Sequence, residues 1–190
     1  IIYASKGASG STLSGVRLKN GATLKSSLTV ATNNPLYTVG SYHTVSKKAA
    51  SLIADSYTVL SNNWADSKSA LSRDSRVATA TQINASYMTG NYETGTGGRA
   101  YNGGFENLPR FLENWTNIAY TWRGSAVALW YARQTSGAWN GNYYTPPNRN
   151  WAFDTDLLDV SKLPPGTPMI NIVERKNWTQ KINSSLTLAH

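Results

Sequence analysis

Asp154, Asp156 and Asp159, in the run FDTDLLDV, form the only acidic cluster of the chain. Two carboxylates at i and i+2 can act as acid and base across a glycosidic bond, or hold Ca²⁺ together with backbone carbonyls. The first chemistry would make a polysaccharide-degrading β-helix enzyme. The simpler account is that Asp154 or Asp156 caps a turn of helix through Leu157 and Leu158. No EF-hand glycine and no calcium-binding repeat accompanies the cluster. Nucleophilic chemistry finds less support. The chain has 2 His and no Cys, which excludes thiolate nucleophiles, thiolate metal sites and disulfides. His43 sits at a strand-end corner without a GxSxG phrase nearby, and His190 lies in the last ten residues. His43 is expected to be a satisfied surface histidine. The glycines at 95, 97, 98, 103 and 104 lack the Lys-Ser/Thr of a phosphate-binding loop. The sequence therefore predicts no catalytic residue, no metal and no cofactor, and a protein that is not an enzyme.

The residues with the most to offer are aromatic. The chain holds 7 Trp and 11 Tyr, and Trp122, Trp130, Tyr131, Trp139, Tyr143, Tyr144 and Trp151 crowd into thirty residues of it. Planar rings stack on sugar faces and anchor protein interfaces. Trp122 and Trp130 fall in alternating runs and are expected to face a core or a neighbouring layer. Trp139, Tyr143, Tyr144 and Trp151 fall among Gly, Asn and Pro, and form the candidate contact surface. A carbohydrate-binding module is the reading these rings would support.

The elements that position these groups read as β-rich. In LTVATNNPLYTVGSY (28–42) two short runs flank Asn33-Asn34-Pro35 and end at Gly40. Pro35 cannot donate to a ladder and forces Asn34 to extended geometry, while Asn tolerates the left-handed region, so one strand ends and the next starts at a new angle. Degraded copies of this cadence recur at 51–64, 81–92 and 118–132. They predict an all-β fold, an irregular parallel β-helix with long loops. Asn20-Gly21 marks a turn, residues 66–76 a polar surface loop, and residues 92–104 a glycine-rich insertion. FENLPRFLENW (105–115) departs from the period of two. Phe105, Leu108, Phe111, Leu112 and Trp115 recur at spacings of three and four, which predicts one short α-helix covering a sheet edge. MINIVERKNW (169–178) alternates again and predicts a final strand at an edge.

Composition places limits on partners. With 18 basic and 10 acidic residues the formal net charge is +8, yet the basic residues are scattered singly or in pairs, with no basic helix or RNA-binding aromatic phrase. Sequence-specific nucleic-acid binding is not expected; a weak, salt-sensitive attraction to polysaccharide or another anionic surface is. Charged residues make up 15% of the chain, and the abundance of Asn, Ser, Thr and Tyr suits exported β-rich proteins. No apolar run is long enough to span a bilayer. The chain opens on Ile1-Ile2-Tyr3 without an initiator Met, as expected of a processed product or of the ordered part of something longer; any membrane anchor would lie in a segment absent from this chain. Acceptor sequons for N-glycosylation occur at Asn84, Asn114, Asn177 and Asn183.

Several phrases in one order, GVRLKNGATL (15–24), LTVATNNPLYTVGSYHT (28–44), IADSYTVLSNNW (53–64), YNGGFENLPRFLENW (101–115), YYTPPNRNWAFD (143–154) and LPPGTPMINIVERKNW (163–178), resemble the secreted C-terminal region of bacterial PilX-like, type IV pilus-assembly-like surface proteins. The resemblance covers residues 3–180. It implies an extracellular or cell-surface protein of a pilus-like appendage and carries over no catalytic residues. The sequence is thus read as one domain, 1–180, with a tail, 181–190, available for strand exchange. The expected function is a non-enzymatic structural or adhesive component of an extracellular filament. It would form a homo-oligomer or associate with pilus subunits. Ile1, Ile2 and Tyr3 at one end and Leu186 and Leu188 at the other are the candidate inter-subunit strands.

Overall fold

Short β-prone runs separated by corner residues give twelve strands among the described residues, which in this computed structural model are 1–7, 13–91, 108–135 and 143–180. In chain order they are β1 (Ile2–Tyr3), β2 (Val16–Lys19), β3 (Leu28–Ala31), β4 (Leu36–Val39), β5 (Ala50–Ala54), β6 (Tyr57–Leu60), β7 (Thr81–Asn84), β8 (Ser86–Asn91), β9 (Arg110–Phe111), β10 (Ala119–Gly124), β11 (Ala126–Tyr131) and β12 (Asn148–Phe153). The corner at Asn33-Asn34-Pro35 works as the residue types require. Asn34 is buried; its carboxamide accepts from the Lys6 N–H at 3.0 Å and donates to the Lys6 carbonyl at 2.9 Å, which ties the exit of β1 to the start of β4. Gly40 ends β4 at φ 75°, a conformation that favours glycine.

Consecutive strands enter different sheets, and every ladder is parallel. The five-stranded sheet runs β1-β3-β5-β8-β11, the four-stranded sheet β2-β4-β6-β9, and the three-stranded sheet β12-β10-β7. This corrects the expected irregular β-helix. The sheets are separate and open, their strand numbers differ, and the three-stranded sheet draws on none of the first six strands, so equal rungs do not repeat along the chain. The covering α-helix is corrected as well. Its described part, from Leu108 onward, is extended, with Thr58 paired to Arg110 and Val59 to Phe111. Spacings of three and four misled because Arg110 and Glu113, the supposed polar face, are buried along with Leu108, Phe111 and Trp115. A surface helix would leave them in water, and tertiary pairing overrides the local pattern. The final strand predicted over 169–178 is not seen either: among the described residues, 168–180 join no sheet.

The core is aromatic. Tyr57, Tyr87, Trp122 and Trp151 form a chain of rings with centroids 5.3, 4.9 and 5.9 Å apart, and Phe111 meets both Trp115 and Tyr120 at 5.3 Å. Tilted and edge-on contacts suit ring quadrupoles and add to the gain from burial. Two polar tips find partners in the interior: the Tyr87 hydroxyl donates to the Leu108 carbonyl at 2.7 Å, and the Trp122 indole N–H to the Ala85 carbonyl at 2.9 Å. Gly124 lets the backbones of β10 and residue 85 approach, since a Cβ there would stand 2.2 Å from the Ala85 oxygen.

Candidate functional site

The acidic cluster lies where β12 gives way to two short 3₁₀ turns, Thr155–Leu158 and Val160–Lys162. Asp154 caps the first turn by accepting from the Asp156 N–H at 3.2 Å, and Asp159 caps the second by accepting from the Ser161 N–H at 2.9 Å. Capping is the ordinary use of Asp at these positions. The remaining carboxylate capacity meets lysine. Lys47 Nζ stands 2.6 Å from Asp154 and 2.8 Å from Asp156, and Lys162 Nζ stands 3.0 Å from Asp156. Hydrogen bonds from Lys47 and Lys162 hold the Asp156 carboxyl below the usual carboxylate range, and those from Ser161 do the same for Asp159. A general acid needs the opposite shift. The cleft beside the cluster, about 340 Å³, is lined by Lys47, Lys48, Asn84, Ser86, Ser161 and Lys162 with Asp154 and Asp156. Its lysines can attract a small anion. Among the described residues no group of three or more His, Cys, Asp or Glu is placed to hold a metal ion.

Three of the four rings of the candidate contact surface fall among the described residues. Trp139 lies outside the described residues. Tyr143 is exposed, Tyr144 packs on Phe111 at 5.6 Å, and Trp151 is half-buried, edge-on to Tyr120 and Trp122 with the Arg149 guanidinium 5.2 Å over its face. Trp151 is drawn inward because β12 pairs residue for residue with β10, setting Trp151 beside Trp122. Proline and asparagine before it suggested a loop; the ladder made it a strand. Of the sequons, Asn84 is buried and donates to the His43 carbonyl at 3.0 Å, which closes it to a glycan.

His43 is buried rather than on the surface, at φ 56°, and its Nε2 accepts from the Lys48 N–H at 2.7 Å. That bond folds residues 43–48 into a tight corner. Burial, helped by Lys48 and Lys47, lowers its pKa from the ordinary 6.5. Two buried acids went unnoticed in the sequence. Glu113 accepts from the Ser61 N–H at 2.7 Å and the Ser61 hydroxyl at 2.6 Å, and burial pushes its carboxyl up. Asp55 accepts from the Arg133 N–H at 2.6 Å, the Gln134 N–H at 2.9 Å and the Thr135 hydroxyl at 3.2 Å. A charged residue inside an otherwise apolar strand pair, as in SLIADSYTVL, was the available signal. Both acids tie loops to the core.

Some of the exposed apolar groups lie at the edges of the five-stranded sheet. At one edge, β1 carries Ile2 and Tyr3 next to Ile1, all exposed, and pairs with Val30 and Ala31 of its own chain. At the other, β11 reads AVALWY; it has a ladder neighbour, β8, on one side only among the described residues. Leu129 is 65% exposed and Trp130 38%. Tyr3, Trp130 and Tyr131 also line a shallow depression with Asn33 and Arg133. Leu186 and Leu188, the other predicted exchange residues, lie outside the described residues. The chain matches no protein-family model, no curated protein and no solved structure.

Proposed function

We propose that this protein is a non-enzymatic structural or adhesive component of an extracellular, pilus-like filament, assembling through the open edges of its five-stranded sheet. The observation that carries the reading is β11, among the described residues an edge strand of six residues with no charge and with the large apolar side chains of Leu129 and Trp130 in solvent. Natural sheets blunt such edges with lysine, proline or a covering segment, because unpaired N–H and C=O groups invite another strand. Here the edge is left apolar, with a register shift in its β8 ladder between Ala128 and Trp130. The aspartate cluster supports the non-enzymatic part, since each of its carboxylates is committed to a cap or a lysine. The low charge, the abundance of Asn, Ser, Thr and Tyr, and the resemblance of several phrases to pilus-assembly-like proteins support a setting at the cell surface.

The test joins assembly and turnover. Light scattering and electron microscopy over a concentration series should show oligomers that Leu129→Lys abolishes, because lysine at an edge opposes pairing. A screen against acidic and neutral polysaccharides should show no turnover. Turnover lost in Asp154→Asn or Asp156→Asn would replace this reading with the enzyme.

A further inference from the structure

The face of the five-stranded sheet turned away from the core is graded in polarity along its strands. Val30, Leu52 and Tyr87 belong to the core, so their neighbours on either side point outward. One outward row is hydroxylic: Thr29 pairs with Ser51, Ser51 with Ser86, and the Ser86 and Ser125 hydroxyls stand 3.2 Å apart. Two residues further on, about 7 Å along the strands, the next row is apolar. There Ile53 pairs with Met88, and Met88 with Val127. A proline-rich segment lies over this row. The Thr29 hydroxyl donates to the Pro165 carbonyl at 2.7 Å, and the Thr167 hydroxyl to the Pro164 carbonyl at 2.7 Å. Pro164, Pro165 and Pro168 have fixed φ, so this cover holds its shape. Between it and the sheet is a groove of about 300 Å³, lined also by Phe153, Leu157 and Leu163.

In the other direction the hydroxyl row meets the lysine-lined cleft beside Asp154 and Asp156, because Ser86 and Leu157 line both cavities. Lys47 is ion-paired with Asp154 and Asp156, and Lys162 with Asp156 and, at 3.9 Å, Asp159. Lys48 makes no ion pair among the described residues; its ammonium donates to the Lys25 carbonyl. It is the cation of the cleft that no carboxylate answers.

We propose that this composite groove binds a single-chain anionic amphiphile, a free fatty acid. Its carboxylate meets Lys48 and its chain runs along Ile53, Met88 and Val127 beneath the prolines. Cation, hydroxyls and aliphatic floor follow one another in the order such a ligand requires. A covered groove at the small end of the range for ligand sites suits one chain rather than the two of a bilayer lipid. Sugars fit less well, since aliphatic side chains and prolines dominate the groove and sugar faces stack on planar rings. The site needs no second copy of the chain, so it is tested apart from the assembly reading.

Titration calorimetry on the full chain compares decanoate, kept below its micelle concentration, with octanoate and with neutral decanol. Decanoate should bind at one site per chain, and octanoate about tenfold more weakly for the two methylenes lost. Lys48→Ala should weaken decanoate about fivefold, the effect of one exposed ion pair, and leave decanol unchanged. No saturable decanoate binding, decanol binding as tight as decanoate, or an unaltered Lys48→Ala variant would each overturn the proposal. A second measurement uses the unmutated chain and a fatty acid carrying a photoreactive diazirine. Label on peptides containing Met88, Val127 or Pro164 supports the groove. Label confined to residues 169–180 would place the ligand on other exposed apolar side chains and overturn it. Cosedimentation with phosphatidylglycerol vesicles, without saturable decanoate binding, would assign the face to a membrane and overturn it as well.

Discussion

Removing the Asp55 carboxylate by Asp55→Ala should cost about 3 kcal/mol of stability. The side chain is 4% exposed and receives three hydrogen bonds from the loop that follows β11, two of them from main-chain N–H groups. Each hydrogen bond to a charged group contributes about 1.5–3 kcal/mol when its partner cannot find water. Arg133 is exposed and Gln134 and Thr135 are half-exposed, so water can re-solvate part of what alanine abandons. That places the loss near the cost of two such bonds at the low end of the range, about 3 kcal/mol. At about 2–4 °C per kcal/mol for a chain of this size, the melting temperature should fall by about 6–12 °C. Thr135→Ala removes only the 3.2 Å hydroxyl bond and should lower it by about 1–4 °C. The assay is thermal unfolding followed by near-ultraviolet circular dichroism, which reports the aromatic core directly. A fall of less than about 2 °C for Asp55→Ala would refute the claim that this acid anchors the end of β11.

Two further outcomes follow from particular contacts. Gly124→Ala forces a Cβ into the Ala85 carbonyl, 2.2 Å away, and backbone cannot give as a side chain would; it should destabilise by about 1–3 kcal/mol in urea unfolding, where Gly15→Ala, facing a side chain at 3.1 Å, should cost less. Stability should also decline as the pH falls below 6.5, because the pKa of His43 is lowered in the fold from 6.5. Between the lowered value and 6.5 the unfolded chain takes up a proton that the folded chain refuses, so the full contribution is present above 6.5 and shrinks on acidification. His43→Asn, a residue that tolerates the left-handed backbone at φ 56°, should flatten the pH profile in that window. An unchanged profile would remove His43 as the titrating group.

Much of the strand content was legible because corner chemistry is local. Asn-Asn-Pro and Gly40 bracket β3 and β4, and the weaker cadences at 51–64, 81–92 and 118–132 each contain strands. What the sequence hid depends on partners far along the chain. Residues 108–115 show a helical spacing, yet β6 captures Arg110 and Phe111 as a strand, and Glu113 is buried against Ser61, fifty-two positions away. Trp151 looked exposed among polar residues until its register with Trp122 placed it against the core. The aspartates could be read either way from spacing; the lysines that neutralise Asp154 and Asp156 come partly from Lys47, more than a hundred residues earlier. The stretch at 169–178 reads as a strand in type, but among the described residues it joins no ladder.

Amide hydrogen exchange at β11 tests the central claim most directly, because edge pairing must protect N–H groups that the isolated chain leaves to solvent. Exchange is followed by mass spectrometry in dilute protein and in concentrated protein, on peptides covering Ala126–Tyr131 and, as an internal standard, the buried Tyr57–Leu60 strand. Assembly through the open edge predicts protection at β11 that rises with concentration while Tyr57–Leu60 stays constant, and loss of that protection in Leu129→Lys. Exchange at β11 that is identical at both concentrations, in samples shown by scattering to contain oligomers, would contradict the account.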